Sequence, residues 1–482
     1  MEQPVEKTAR IAFFAVGHDT YWHQFPGLLE SLIRHHATAR QMIEKEQVAV
    51  VDYGMVDSNT KAYAVLEQMQ GDAVDLVICN MVTYAPSATF APIIRNASAP
   101  VILLALQPLA GMDYSKASTR MQLENDSICA VPEFISVAER LGRPVRDVVI
   151  GQLTDDPAAE AGISRWCGIA RVLHALKGGR FGLIGHVLEA MYDMHADPTM
   201  ISAAFNIHIP LIEIDDLMRC YQMVTQHEIQ AKVRTILSLF ATPDPGSDPI
   251  AGKLTEADLM QAARSAVALD KLVDAYQLTG LAYYYEGLPG SLQWELAGSL
   301  VVGNSLLIAR GIPMCGEYDI KTCLAMLIMD RLGIGGSFAE FHPFDFRENF
   351  ILVGHDGPHH IKIAAGRPVL RSLLKYHGKP GSGASVEFQI KEGPITLLSI
   401  SQKAGGRLCF IVGEGTSVHG PIPPTGNTNT RGFFGPDVRR FVKAWVMAGP
   451  THHFALGIGH HAETIAMIGR ILDIETTIVR PC

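Results

Sequence analysis

Short, unbroken apolar runs alternate with stretches of helical spacing over the first third of the chain. "IAFFAVG" (11–17), "VAVVDYG" (48–54), "DLVICNM" (75–81) and "PVILLAL" (100–106) are such runs, and segments 26–46 and 59–70 carry the helical pattern between them. This rhythm predicts a parallel sheet with helical crossovers. Strands that are apolar throughout, rather than at every second position, are covered on both faces. A second cycle begins near Gly178-Gly179 with "RFGLIG" (180–185) and "IPLIEID" (209–215). Helical patterns follow over 216–240 and 254–277, then "GLAYYYEG" (280–287) and a helix from 290. Beyond about residue 335 the texture changes to "VEFQIKEG", "ITLLSISQ" and "RLCFIVGEG", runs of period-two character with hairpin-like punctuation, closed by a terminal helix.

The predicted fold class is therefore α/β, with two doubly wound α/β domains (1–178 and 179–313) followed by a mainly β C-terminal domain (314–482). A chain of 482 residues agrees with about three domains at ~150 residues each. Two loops stand out as rich in turn formers. One is "TPDPGSDPIAGK" (242–253), between two helices; the other is "HGPIPPTGNTNTRGFFGP" (419–436), long and polar, of the kind used at sites.

Composition removes several function classes. With 48% hydrophobic and 18% charged residues the chain has enough apolar surface to fold unaided. A net charge of −9 with no Lys/Arg cluster argues against a nucleic-acid partner and for a small-molecule one. The start lacks a basic region ahead of its short apolar run, and no stretch of ~18 apolar residues occurs, so a cytoplasmic location without membrane insertion is expected. The cysteines, eight in number, show no C-x-x-C spacing, which disfavours zinc ribbons and disulfide frameworks.

Candidate chemistry gathers late in the chain. "GPTHHFALGIGHHAET" (449–464) holds two histidine pairs, and its Gly457–Ala462 matches G-x-G-x-x-A. A dinucleotide site also needs the rest of a βαβ unit with an acidic residue about 20 positions on, which "DIETTIVRPC" does not supply. His460 and His461 are read as the hydrogen-bonded start of a helix after a tight turn, with no cofactor bound there. His452 and His453 acquire interest from three upstream segments: "CGEYDIKTCLAM" (315–326), "SFAEFHPFDF" (337–346) and "LVGHDGPHH" (352–360). Taken singly, each has an ordinary explanation. Glu317 at a Gly-led helix entrance could cap the helix, Glu340 and His342 share one face of an extended segment, and His355 follows a glycine at a turn. Taken together, they form a mixed oxygen and nitrogen donor set suited to a divalent cation with open positions, Mn²⁺ foremost.

At these segments the sequence resembles the L-arabinose isomerase family, within the arabinose/fucose isomerase superfamily. "GEYDIKTCLAM" resembles that family's Gly-Glu-Gly-Asp-x-Lys-Thr helix start, "GGSFAEF" its Gly-Gly-Thr-Ser-Phe-Met-Glu segment, "GHD" its Gly-Ser-His turn and "AGPTHH" its Ala-Gly-Gly-Ala-His-His. The resemblance implies Glu317, Glu340, His355 and His453 as metal ligands, Glu317 and Glu340 as the catalytic acid/base pair, and His452 as a substrate contact. By the same resemblance Asp19, Tyr84 and Tyr285 are substrate-binding. It further implies a homo-oligomer, trimer or hexamer, whose active sites are completed by a neighbour's N-terminal domain. The chain departs from the family at "EFHPFDF", around His342, and at "LENDSICAVPEF" (123–134), where Cys129 falls nearest to a sugar-contacting histidine. It also departs at "VGHDTYW" (16–22), where His18 and Asp19 replace a Gln-containing turn.

Such a set suits aldose–ketose exchange, for example L-arabinose to L-ribulose through a cis-enediol. That reaction needs an acid/base pair at the carbons and a cation at the developing oxyanions. A sugar isomerase of L-fucose or D-arabinose type is the nearest alternative. A hydrolase using a metal-bound hydroxide would draw on the same donors, and a non-catalytic sugar-binding protein would need none of them.

Overall fold

The computed structural model describes residues 8–480, apart from 189, 244–252, 356, 358, 373–374, 377–378, 381–382 and 424–427. The chain divides into two units, residues 1–174 and 175–482. In the first, β1 (Arg10–Val16) pairs in parallel with β2 (Ala49–Val56) and β3 (Leu76–Met81). β4 (Val101–Gln107) and β5 (Val148–Gln152) extend the sheet to the order β2-β1-β3-β4-β5.

Alternate residues of β1 serve two cores. Ala12, Phe14 and Val16 pack with Val77, Cys79 and Met81 on one face, while Ala15 meets Leu28 and Leu32 of the helix Leu28–Glu44 on the other. That is the two-sided burial the continuous apolar runs predict. Helix Asn59–Gln70 spans the predicted segment and is capped by the Ser58 hydroxyl, which accepts from the Lys61 N–H. β5 escapes the pattern reading, because this edge strand exposes Ile150 and its apolar run is only the three residues Val148–Ile150. Chain order reverses between β1 and β3, and such a switch point in an open parallel sheet leaves a ligand crevice beyond the strand C-termini.

The second unit opens with a parallel sheet of order β7-β6-β8-β9, formed by β6 (Phe181–Gly185), β7 (Leu211–Ile212), β8 (Gly280–Tyr284) and β9 (Met314–Cys315). "IPLIEID" yields only a two-residue strand, since Glu213 already occupies the N-cap position of helix Ile214–Gln222. The next two helices, Gln226–Leu239 and Glu256–Tyr276, each begin with a capping box, Thr225/Glu228 and Thr255/Asp258. Most of the loop predicted at 242–253 lies outside the described residues, as do residues 424–427 of the loop predicted at 419–436.

The mainly β region contains β10 (Gly335–Asp345), β11 (Phe350–His355), β16 (Gly393–Gln402), β17 (Leu408–Val418), β18 (Thr428–Phe433), β19 (Phe454–Ile458) and β20 (Glu475–Val479). Two small ladders sit between β11 and β16: β12 (Val369–Ser372) with β15 (Ala384–Glu387), and β13 (Lys375–Tyr376) with β14 (Lys379–Pro380). Antiparallel pairing runs β16-β19-β10-β11-β18-β17, and β17 pairs back to β16. The six-stranded ring is thereby closed. β20 joins β17 in parallel.

Two expectations change here. β16 and the first half of β17 are buried continuously, and only the second half of β17 alternates; helix Ile320–Arg331 packs on β16 and helix Ala462–Ile471 on β17. Two helices, Val438–Met447 and Ala462–Ile471, stand where one was expected, and a strand follows them. Helix Ile320–Arg331, buried from Ile320 to Met329, packs on β8, β10, β16 and β19 and so links the parallel sheet to the ring. Its approach to β10 requires Gly336: with φ +112, a Cβ there would stand 2.7 Å from the Met326 carbonyl oxygen.

Candidate metal centre

Strand register brings three of the predicted side chains to one level. β10 runs between β19 and β11, with Ala339 opposite Phe454 and Glu340 opposite Gly354. Glu340 is thus flanked by His453, just before β19, and by His355, the last residue of β11. Glu317 arrives from the other side, on the turn that leads into helix Ile320–Arg331. Glu317 and Tyr318 have φ of 56 and 63, consecutive left-handed residues that are not glycine. Each such residue costs roughly 1–2 kcal/mol, a strain that persists where the surroundings over-determine it. The Tyr318 N–H donates to the Tyr283 carbonyl at 3.1 Å, and the Asp319 N–H to the Gly316 carbonyl at 3.1 Å, pinning the turn.

The donor atoms converge. Those of Glu317, His355 and His453 lie within 4.8 Å of one another, as do those of Glu340, His452 and His453. His355 Nε2 and His453 Nε2 are 3.2 Å apart, and Glu340 Oε1 is 4.0 Å from His355 Nε2. Glu317 Oε2 sits 3.4 Å from His453 Nε2 and 3.6 Å from His452 Nε2. It is buried, yet makes no aligned hydrogen bond to any described residue. An unsatisfied buried carboxylate oxygen costs stability. Facing two imidazole nitrogens, it has the environment of a cation ligand, so the residues present fit a divalent metal.

Two aspartates support the histidines, and sequence reasoning assigned a role to neither. Asp319 Oδ2 meets His453 Nδ1 at 3.1 Å, while its Oδ1 accepts the Thr322 N–H at 3.0 Å as the helix cap. The cap anticipated for Glu317 therefore belongs to Asp319, which leaves Glu317 directed into the centre. Burial alone would raise the Asp319 carboxyl, but His453 and the cation of Lys321 outweigh it and hold this group well below the usual carboxylate range. Carboxylate–histidine pairs of this kind fix the tautomer and turn the second ring nitrogen toward a metal.

His452 rests instead on Asp193, from the short turn Tyr192–Met194: Asp193 Oδ2 accepts from His452 Nδ1 at 2.6 Å and from its backbone N–H at 3.0 Å. Burial lowers the basicity of His452, but Glu317 and Asp193 overcome this and push its pKa up to about 9. Thr451 ties the His452–His453 turn to β16, its N–H donating to Ser399 Oγ at 3.1 Å and its hydroxyl to the His453 carbonyl at 2.8 Å. The Phe338 ring packs on both His355 and His453, with centroids 4.5 and 4.3 Å away.

Tyr285 follows β8, buried, with its hydroxyl unpartnered among the described residues. It is Tyr284 whose phenol feels Glu317. His342 is in neither donor group. Asp19 and Tyr84 belong to the first unit, at the C-terminal ends of β1 and β3. There His18 and Tyr21 stand 5.1 Å apart and Tyr21 and Tyr84 6.5 Å apart, ring centre to ring centre. Burial raises the Tyr21 phenol first, with Tyr84, Asp126 and Cys129 adding to it, so Cys129 shares this switch-point crevice. The second histidine pair stands just ahead of helix Ala462–Ile471 and not in its first turn, and it is tied to strands distant in sequence: His460 Nε2 bonds the Gly415 carbonyl at 3.0 Å and the His461 N–H donates to Thr396 Oγ1 at 3.0 Å.

Comparison with known proteins agrees with this architecture. Residues 335–475 match the family model for the L-arabinose isomerase C-terminal domain. An L-arabinose isomerase from Nocardioides sp. is 25% identical over 440 residues, covering 88% of this chain and 85% of that protein. One from Aeromonas hydrophila is 21% identical over 407 residues, 83% of this chain and 79% of its own length. A sulfoquinovose isomerase from Priestia megaterium is 20% identical over 431 residues, covering 88% of this chain and 90% of that protein. The protein is an enzyme, an aldose–ketose isomerase. Its residues 335–475 are similar to the L-arabinose isomerase C-terminal domain, and over most of its length it is similar to L-arabinose isomerases at low identity. No single helix among the described residues is long and apolar enough to cross a membrane.

Proposed function

We propose that this enzyme is a divalent-metal-dependent isomerase of an open-chain aldose such as L-arabinose, forming L-ribulose through a cis-enediol. What supports the reading is that the donor atoms of Glu317, His355 and His453 lie within 4.8 Å of one another and Glu340 Oε1 is 4.0 Å from His355 Nε2, with a buried Glu317 oxygen that makes no aligned hydrogen bond among the described residues. These four residues would hold the metal, Mn²⁺ by the hardness of its carboxylate and imidazole donors. Bound there, it supplies Lewis acidity toward the sugar oxygens at C1 and C2.

The protein groups do the rest. Glu317 comes from a helix entrance and Glu340 from a strand. They form the acid/base pair: one removes the C2 proton and delivers a proton to C1, while the other gives a proton to O1 and takes the one from O2, and the roles reverse for the ketose. His452 hydrogen-bonds a sugar hydroxyl and fixes the chain of the substrate. Family resemblance supports Asp19, Tyr84 and Tyr285 as further sugar contacts, together with a trimeric or hexameric assembly in which a neighbour's N-terminal domain completes the site. A cytoplasmic location is part of the same reading.

The test is direct. Metal-stripped protein is given Mn²⁺ and a panel of pentoses, 6-deoxyhexoses and sulfoquinovose, and ketose is assayed with solvent deuterium incorporation at C1 of the ketose and at C2 of the recovered aldose. Ketose from L-arabinose in the loaded protein, and its loss to below a few per cent in Glu317→Gln and Glu340→Gln, is the expected result. Substantial turnover by either variant contradicts the assignment.

A further inference from the structure

Asp193 lies 259 positions before His452, yet one of its oxygens takes both the ring Nδ1–H and the backbone N–H of that histidine, at 2.6 and 3.0 Å. We propose that Asp193 is a positioning residue that sets the ring of His452 for the sugar. The inference rests on the isomerase reading of this centre. With Nδ1–H committed to Asp193, the free edge of the ring is Nε2, which looks into the centre 3.6 Å from Glu317 Oε2 and falls in one donor group with Glu340. An imidazole held at both backbone and ring keeps one orientation, so a sugar hydroxyl meets a preset partner and not a rotating one.

The turn that carries Asp193 is itself anchored. Lys321, almost fully buried on helix Ile320–Arg331, donates from Nζ to the carbonyls of Met194 at 3.2 Å and His195 at 3.4 Å. The helix whose cap, Asp319, orients His453 thus also holds the turn whose Asp193 orients His452. One element aligns both histidines: the inner one by its first residues, the outer one by a buried cation two residues further on. A lysine in the interior is costly unless it satisfies specific acceptors, and these carbonyls are what it satisfies.

The test separates positioning from general support. L-Arabinitol, an open-chain polyol that cannot react, is titrated into Mn²⁺-loaded protein by calorimetry, and Mn²⁺ affinity is measured separately. Asp193→Ala is expected to weaken L-arabinitol binding about tenfold, as loss of a charge-assisted hydrogen bond does, with Mn²⁺ affinity within about twofold. His452→Ala should give a similar loss, and the double variant no more than either single one, since both changes remove the same contact. Asp193→Asn, whose amide oxygen can accept the same two N–H groups, should restore most of the binding. Equal polyol binding by Asp193→Ala and the unaltered protein, or additive losses in the double variant, overturns the proposal while the isomerase reading stands. Failure of the unaltered protein both to bind L-arabinitol and to isomerise any aldose removes the reading beneath it.

Discussion

His452 and His453 are neighbours in the chain, and each leans on an aspartate through Nδ1, yet the two pairs differ in almost every other respect. His453 and Asp319 are both 0% exposed, whereas His452 and Asp193 are 34% and 41% exposed. The inner pair joins the start of β19 to a helix cap and shares its outward nitrogen with His355 and Glu317. The outer pair joins a surface turn to the rim of the same centre. A buried charge pair is sustained by its geometry and is damaged severely when broken, whereas an exposed pair contributes little to stability and is free to serve recognition. Under the function proposed above, the same chemical unit, placed 3.8 Å away ring to ring, serves as a metal clamp in one position and as a substrate contact in the other.

The largest effect that separates the pairs is metal retention. His453→Gln should lose Mn²⁺ binding by two orders of magnitude or more, and turnover with it, while His452→Gln should bind Mn²⁺ within a few-fold of normal and lose turnover alone. Equilibrium dialysis against Mn²⁺ beside a ketose assay decides this, and equal metal loss in both variants would erase the distinction drawn here. Next in size, Asp319→Asn keeps a good helix cap but removes the charge behind His453. A 10–100-fold loss of metal affinity, the usual consequence of removing an outer-shell partner, should appear together with a lowered thermal stability, since the buried His453 loses its charged partner. Asp319→Ala should add a stability loss of about 1 kcal/mol for the missing cap, visible by differential scanning calorimetry.

A third histidine sharpens the contrast from the opposite side. His359 is buried with both ring nitrogens unpartnered among the described residues, and burial holds its pKa down to about 3, against 6.5 for the free side chain. Between those values the unfolded chain binds a proton that the folded protein refuses, so this residue makes stability rise with pH across the window and fall as acid is added. His359→Phe should reduce that slope by up to one proton, measured as the pH dependence of unfolding free energy between pH 4 and 6. An unchanged slope would mean that His359 has a partner when folded.

How far the sequence disclosed all this follows from range. The unbroken apolar runs of β1, β3 and β4 and the spacing of Asn59–Gln70 report local burial, and local burial is written in a window of ten residues. β5 was invisible because an edge strand with an exposed Ile150 has no such window. The closing of the ring, with β17 paired to β16, β18 and β20, depends on partners far along the chain. At the centre, Glu317, Glu340, His355 and His453 were legible through short motifs that resemble a family. Asp319 was inside one of those motifs, yet its double service as cap and histidine support needed three dimensions. Asp193 had no signal at all, since an isolated Asp on an irregular turn is the commonest kind of surface residue.

The central claim is that these four ligands surround one divalent cation, and the anomalous difference map of crystals grown with Mn²⁺ tests it most directly. One strong peak within about 2.0–2.4 Å of Glu317, Glu340, His355 and His453 is the predicted result. A map with no peak there, or with its Mn²⁺ held by other residues while the protein still converts aldose to ketose, would contradict it.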